Sequence, residues 1–153
     1  LIKKEFSRIM SLKDGLKKMS KSEISDLSRI NLTDDKDTIV NKIKKAKTDA
    51  LPLPSTIEEL EKRPEVKNLI GIFSSLAGLT LENSLNEFSG KNFSHFKENL
   101  SQLLIEKIIP ISFEIKKLLN DHNYLDSILI DGYKKADKIA SKKVEKIHEI
   151  IGF

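Results

Sequence analysis

Residues 64–78 read PEVKNLIGIFSSLAG, and this stretch decides the fold class that the sequence predicts. Pro64 suits the first position of an α-helix, Glu65 complements the positive end of the helix dipole, and Gly78 is a typical C-terminal stop. The apolar residues recur every three or four positions, as one buried helix face requires: Val66, Leu69, Ile70, Phe73, Leu76 and Ala77. The stretch therefore predicts an amphipathic helix that packs against other helices.

The helical period extends upstream of this stretch. Asp35 is the predicted N-cap of a helix that ends near Thr48. Its apolar side consists of Ile39, Ile43 and Ala46. Four lysines crowd its C-terminal end, where the dipole favours cations: Lys42, Lys44, Lys45 and Lys47. Residues 50–62 contain two prolines and predict a linker with one short helical turn at 55–61.

The period also extends downstream. Thr80 is predicted to cap a short helix, and Ser94 to cap a long one that Pro110 kinks or divides into two. Asn123 is predicted to cap the last helix, roughly 124–151. The apolar faces of the two long helices contain Phe93, Phe96, Leu100, Leu103, Leu104, Ile108, Ile111, Ile115, Leu118 and Leu119, then Leu125, Ile128, Leu129, Ala136, Ile139, Ala140, Val144, Ile147 and Ile151. The predicted fold class is all-α, an irregular helical bundle.

The N-terminal region does not share this pattern. Residues 1–12 contain Phe6, Ile9 and other apolar side chains compatible with one buried strand. A single strand needs a partner for its backbone groups, so it must pair in trans or belong to a sheet whose other strands are missing. Asp14-Gly15 predicts a turn. Residues 16–33 have no clean period and predict a loop with at most one helical turn.

Composition narrows the classes of protein further. The 153 residues suit one domain, and the absence of cysteine excludes disulfides, thiolate metal sites and a cysteine nucleophile. The absence of cysteine also fits a protein of a reducing compartment. Residues 1–50 contain 13 Lys+Arg against 8 Asp+Glu, whereas the remainder is nearly balanced at 14 against 15, so the basic excess suits a polyanionic partner. No apolar run approaches the roughly 18 residues of a membrane span. The first residue, Leu1, predicts a fragment or a processed product.

The basic excess surrounds residues 18–22, which read KMSKS. Lysines and small hydroxyl residues on a mobile loop can hold a polyphosphate through point charges, hydroxyls and backbone amides. Judged by residue types alone, a solvated basic loop is the more ordinary interpretation. The stretch is therefore a candidate phosphate-binding loop until its surroundings are considered.

Those surroundings carry a family resemblance. KMSKS is the signature loop of class I aminoacyl-tRNA synthetases, and residues 28–49, SRINLTDDKDTIVNKIKKAKTD, are similar to the segment behind this loop in bacterial-type tryptophanyl-tRNA synthetases. The similarity continues in order along nearly the whole chain, through Arg63-Pro64-Glu65, Asn68-Leu69, Phe88, Gly90, Asp131-Gly132 and Ile151-Gly152-Phe153. One departure is Glu23-Ile24, where many relatives have Asp-Pro.

The resemblance implies roles for individual residues. Lys18 and Lys21 would be catalytic, because their ammonium groups would stabilise charge on ATP as a carboxylate attacks the α-phosphorus. The implied ATP-binding residues are Ile9, Lys18, Met19, Ser20, Lys21 and Ser22, with Ile9 at the adenine. The apolar character of Ile9 alone would favour core packing. No protein metal site is implied, and Mg²⁺ would arrive with ATP.

The resemblance also implies an organisation and a set of partners. Residues 1–33 would be the end of a Rossmann-type catalytic domain with the KMSKS loop, and residues 34–153 a helical anticodon-binding domain. The full-length enzyme would be a cytoplasmic, homodimeric tryptophan–tRNA ligase that uses ATP, L-tryptophan and tRNA(Trp), with no membrane partner. The HIGH-type motif and the tryptophan pocket would lie upstream of Leu1, so the chain alone should be inactive.

Other interpretations stay open at this point. The chain could be a non-catalytic helical RNA-binding or protein-interaction module that keeps KMSKS without using it. Three histidines, His95, His122 and His148, have no paired spacing and favour surface or capping roles over metal binding. A lysine stripe on the last helix could contact RNA, although a solvated face balanced by nearby carboxylates is the more ordinary interpretation: Lys134, Lys138 and Lys142, with Lys135 and Lys146 nearby.

Overall fold

The computed structural model describes residues 8–152, and this part of the chain contains two short strands and six α-helices. They are β1 (Met10–Ser11), β2 (Asp14–Lys18), α1 (Lys36–Lys44), α2 (Ile57–Glu61), α3 (Pro64–Ala77), α4 (Leu81–Phe88), α5 (Phe93–Asn120) and α6 (His122–Ile151). A 3-10 turn, Asp26–Ser28, lies between β2 and α1. The prediction of a mostly helical fold is confirmed.

The predicted lone strand is instead half of an antiparallel hairpin. In β1, Met10 lies opposite Lys18 and Ser11 opposite Asp14, with a bulge between the two pairs. The prediction of a loop from residue 16 onward is therefore wrong for the part that forms β2. The sequence hid this strand because most of β2 is exposed and lysine-rich, so it shows no apolar alternation. Phe6 lies outside the described residues.

The locally capped helices follow the sequence closely. The Asp35 side chain accepts a hydrogen bond from the Thr38 amide at 2.8 Å, and the Thr80 hydroxyl caps α4 in the same way. Gly78 ends α3 with a φ of +71°, a conformation that glycine adopts without strain. Helix α1 ends at Lys44, four residues early, because the chain leaves the helix to let the Lys47 amide donate to the Leu12 carbonyl at 2.8 Å.

Two expectations about the caps of the long helices are wrong. Asn92, not Ser94, caps the start of α5, since its side chain accepts from the His95 amide at 3.0 Å. Asp121, not Asn123, caps α6 through the Tyr124 amide at 3.0 Å. Pro110 lies inside α5, which continues through it as one helix, so the division into two is wrong and the alternative of a kink stays a prediction. In both cap regions, the residue that caps the helix lies two positions before the predicted one. Its side chain accepts from a backbone amide of the first helical turn that has no partner within the helix.

The chain forms two compact units, Leu1–Ser112 and Phe113–Phe153. In the first, one core contains side chains from both sides of position 33, such as Leu12 and Ile39. Its aromatic centre packs edge to face, with the ring centroids of Phe73 and Phe88 4.9 Å apart and those of Phe88 and Phe96 5.0 Å apart. In the second unit, the described part of α6 contains no buried residue.

Candidate active site

The hairpin places the KMSKS residues directly beside Ile9. Lys18 is the last residue of β2 rather than part of a loop, and the Met19 amide donates to the Ile9 carbonyl at 3.0 Å. The structure thus brings together two regions that the sequence separates by about ten residues. Ile9 is 46% exposed, which excludes the core-packing interpretation and leaves its side chain free for a ligand. Met19 is half-buried and packs against the core.

The four other KMSKS residues are exposed, and two of them define a tight turn. The hydroxyls of Ser20 and Ser22 lie 2.8 Å apart, and the Ser22 amide donates to the Ser20 hydroxyl at 3.3 Å. In the described part of the chain, neither Lys18 nor Lys21 has a hydrogen bond or an ion pair at its ammonium group. Both cations therefore remain available to an anion beside the turn.

Arg29 fastens the residues that follow the turn. Its guanidinium donates to the Glu23 carbonyl at 2.9 Å, pairs with the Asp26 carboxylate at 2.9 Å, and donates to the Asn31 side chain at 3.2 Å. One side chain thus ties together the whole segment 23–31. The KMSKS turn lies between two fixed points, the β-hairpin before it and the Arg29 contacts after it.

Lys42 extends this anchoring into the core. Its ammonium group lies 2.7 Å from the Asp34 carboxylate and 2.6 Å from that of Asp26, and Lys42 itself is only 1% exposed. As expected, Lys42 lies in the last turn of α1, but its ammonium group is buried in an ion pair rather than exposed at the helix end. It lies three residues after buried Ile39 and so shares the inward face of α1. That spacing was the one sequence signal for its burial.

Lys42 also alters the acid titration of this segment. Its hydrogen bond, followed by that of Asn31, holds the pKa of Asp26 below the ordinary value of 3.8. A carboxyl group whose pKa is lower in the folded chain stabilises the fold above its unfolded pKa. This contribution is lost as the pH falls through the lowered pKa of Asp26.

Asn68, on α3, contacts the strand next to Ile9, which the sequence did not reveal. Its side-chain oxygen accepts from the Met10 amide at 2.9 Å, and its side-chain nitrogen donates to the Met10 carbonyl at 2.8 Å. A cleft of about 350 Å³ lies between the N-terminal end of the hairpin and α3. Its lining includes Arg8, Ile9 and Met10 from the N-terminal region and Lys67, Asn68 and Gly71 from α3.

The lysines near the end of α1 and those on α6 differ in their surroundings. Lys44 is exposed, whereas Lys47 pairs with Glu65 at 2.7 Å, a contact that raises the pKa of Lys47 and lowers that of Glu65. The α6 stripe is exposed, and Lys135 in it pairs with Asp131 at 2.6 Å. Within the described residues, its four other ammonium groups have no ion pair. Across residues 8–152, no group of three His, Cys, Asp or Glu side chains could hold a metal, and no helix is apolar and long enough to cross a membrane.

Comparisons with known proteins find one consistent group. The family model for tRNA synthetases class I (W and Y) matches residues 2–108. The tryptophan–tRNA ligase of Mesorhizobium japonicum is 51% identical over 95% of this chain and 41% of its own length. That of Rickettsia felis is 49% identical over 100% of this chain and 46% of its own length. The chain thus spans less than half the length of these curated relatives.

Solved structures give the same result. The tryptophanyl-tRNA synthetase of Mycoplasma pneumoniae is 25% identical, with a TM-score of 0.71 over 99% of this chain and 45% of that one. The Campylobacter jejuni enzyme complexed with ADP and tryptophan is 26% identical, with a TM-score of 0.74 over 100% of this chain and 46% of that one. The helical arrangement and the hairpin therefore have counterparts of known structure.

Proposed function

Because the chain belongs to the class I tRNA synthetases of the W and Y group, we propose that it is part of a tryptophan–tRNA ligase. Such an enzyme uses ATP to activate L-tryptophan and then transfers the amino acid to tRNA(Trp). The observation that carries the proposal is the position of the KMSKS turn beside exposed Ile9, with two lysines whose ammonium groups have no partner among residues 8–152. The named relatives, all tryptophan–tRNA ligases, support the choice of substrate.

The turn would act on the phosphates of ATP. As the carboxylate of tryptophan attacks the α-phosphorus, negative charge grows on the phosphate oxygens and on the departing pyrophosphate. The ammonium groups of Lys18 and Lys21 would stabilise this charge most strongly in the transition state, which is the requirement for a higher rate. The Ser22 hydroxyl and the amides around Met19 would hold the phosphates, and Ile9 would contact the adenine. Mg²⁺ would accompany ATP.

The two parts of the chain would divide the work. Residues 1–33 would complete the ATP site of a Rossmann-type catalytic domain, and residues 34–153 would bind the anticodon region of the tRNA. The mostly helical fold of the second part and its exposed lysines support an RNA-binding role. The parent enzyme would be a cytoplasmic homodimer.

Replacing Lys18 or Lys21 with alanine in the full-length ligase should slow tryptophan-dependent ATP–pyrophosphate exchange about 100-fold or more, the usual cost of removing one preorganised donor. The fold should be unaffected, because both side chains are exposed and unpaired. Lys17→Ala is the matched control, since Lys17 is an adjacent exposed lysine that faces Asp14 at 3.6 Å and should leave exchange nearly unchanged. Normal exchange by both active-site variants would disprove the phosphate role.

Binding of tRNA separates this proposal from a generic basic module. In a gel shift, the chain should bind tRNA(Trp) about tenfold more tightly than the same tRNA with an altered anticodon, because base contacts discriminate by about 1–3 kcal/mol. Both affinities should fall with added salt as phosphate contacts are screened. Equal binding to the two tRNAs would favour a non-catalytic RNA-binding module.

A further inference from the structure

The side chain of Asn68 takes the place of a neighbouring strand at the outer edge of β1. A carboxamide carries the same donor and acceptor pair as a peptide group. Asn68 uses both, accepting from the Met10 amide at 2.9 Å and donating to the Met10 carbonyl at 2.8 Å. The inner edge of β1 pairs with β2, so the strand is held on one side by backbone and on the other by this side chain.

Asn68 itself is fixed firmly. It is 9% exposed and stands on α3 next to buried Leu69 and Ile70. A buried carboxamide that lost either bond would keep an unsatisfied polar group, which is unfavourable in the protein interior. The same helix touches the hairpin at a second point, where Gly15 packs against the backbone of Pro64 and Glu65. Helix α3 thus sets the position of the whole hairpin.

The strand held by Asn68 is the one that carries the proposed ATP contacts. Ile9 precedes Met10 directly, and the Ile9 carbonyl receives the Met19 amide at the base of the KMSKS turn. Any displacement of the Met10 backbone therefore moves the Ile9 side chain and the start of the turn together. We propose that Asn68 is a positioning residue for ATP, acting through Met10 rather than by touching the nucleotide. The inference rests on the proposed ligase function.

A structural role and a positioning role predict different kinetics. Asn68→Asp keeps the shape of the side chain but places a carboxylate oxygen against the Met10 carbonyl, and Asn68→Ala removes both hydrogen bonds. In the full-length ligase, each variant should raise the KM for ATP about tenfold, because a misplaced adenine contact and loop bind ATP less well. The KM for tryptophan should change less than twofold. Two variants are used so that one folding failure does not remove the test.

Ser74→Ala is the matched control. Ser74 lies on the same helix, is fully buried and donates a 2.8 Å hydrogen bond to the Ile70 carbonyl, with the Ser84 hydroxyl 2.7 Å away. None of its hydrogen bonds reaches the hairpin. If the loss of any buried polar contact on α3 were enough to weaken ATP binding, Ser74→Ala would raise the KM for ATP as much as the Asn68 variants do. That result would overturn the inference.

Hydrogen exchange of the chain gives a readout that does not depend on activity. In Asn68→Ala, the Met10 amide should exchange at least tenfold faster, and the Met19 amide should follow because the two ends of the hairpin move together. Unchanged exchange at both amides would overturn the inference. If the unaltered full-length enzyme had no ATP–pyrophosphate exchange activity, the proposed function would be overturned. If that enzyme were active and both Asn68 variants had a normal KM for ATP, only the positioning role would be overturned.

Discussion

Replacing Lys42 with methionine should lower the free energy of unfolding by about 3–5 kcal/mol, the usual cost of breaking a buried ion pair from one side. Methionine fills much of the space of the lysine stem but leaves the Asp34 carboxylate, 8% exposed, without its cation. Urea or thermal unfolding of the chain, followed by circular dichroism, measures the change. The segment that follows the KMSKS turn should loosen first, because Asp26 and Asp34 hold it to α1 through Lys42.

Two further variants identify the cause. Lys44→Met removes an exposed lysine from the same helix and should change the stability by less than about 0.5 kcal/mol. Adding Asp34→Asn to Lys42→Met removes the stranded charge and should recover part of the loss, because the amide oxygen can still accept from the Asn31 amide. If Lys42→Met costs no more than Lys44→Met, the buried pair does not hold this segment.

Replacing Gly15 with alanine should destabilise the first unit by about 3 kcal/mol, at the upper end of the range for overpacking. The new Cβ would lie 2.5 Å from the Glu65 nitrogen and 2.5 Å from the Pro64 carbonyl carbon. Both are backbone atoms at the start of α3, so relief requires the hairpin and the helix to separate. In the full-length ligase the same variant should also raise the KM for ATP, since the hairpin carries Ile9.

Gly132→Ala supplies a control of opposite sign. Gly132 lies inside α6, and an added Cβ there meets no atom within 4 Å. Alanine in an exposed helix interior is favoured over glycine by roughly 0.5–1 kcal/mol, so this variant should stabilise α6 slightly. Unfolding curves of the two variants provide the comparison. A Gly15→Ala chain as stable as the original would show that the hairpin is not held tightly against α3.

The sequence predicted those parts of the fold whose causes are local. Asp35 and Thr80 cap helices through amides three residues away, and Gly78 ends α3 by its own backbone conformation. The strand β2 was missed because it is held by a close backbone approach at Gly15, which leaves no periodic pattern. The burial of Lys42 was missed because its partners Asp34 and Asp26 lie eight and sixteen residues away.

The candidate site likewise has features that the sequence could predict and others that it could not. The types of the KMSKS residues alone favour a solvated basic loop, and only the family resemblance predicts that they bind phosphate. The contacts that hold the KMSKS turn in place could not be predicted from the sequence. Asn68 is 58 residues from Met10, and nothing in its neighbours shows that its carboxamide will pair with a strand edge. Only the packing of α3 against the hairpin brings the two together.

The two fixed points around the KMSKS turn limit its freedom in a way that bears on ATP capture. Between the Met19 amide, bonded to Ile9, and the Glu23 carbonyl, bonded to Arg29, only three residues have no hydrogen bond beyond the turn: Ser20, Lys21 and Ser22. At most about 3.6 Å per residue is available to an extended chain, so the α-carbon of Lys21 stays within roughly 7 Å of both tethers. Ordering three residues costs about 3–6 kcal/mol of backbone entropy at 1–2 kcal/mol each, far less than ordering all of 16–33. In the proposed function, this short turn would keep Lys21 near the nucleotide and would lose little backbone entropy when ATP binds.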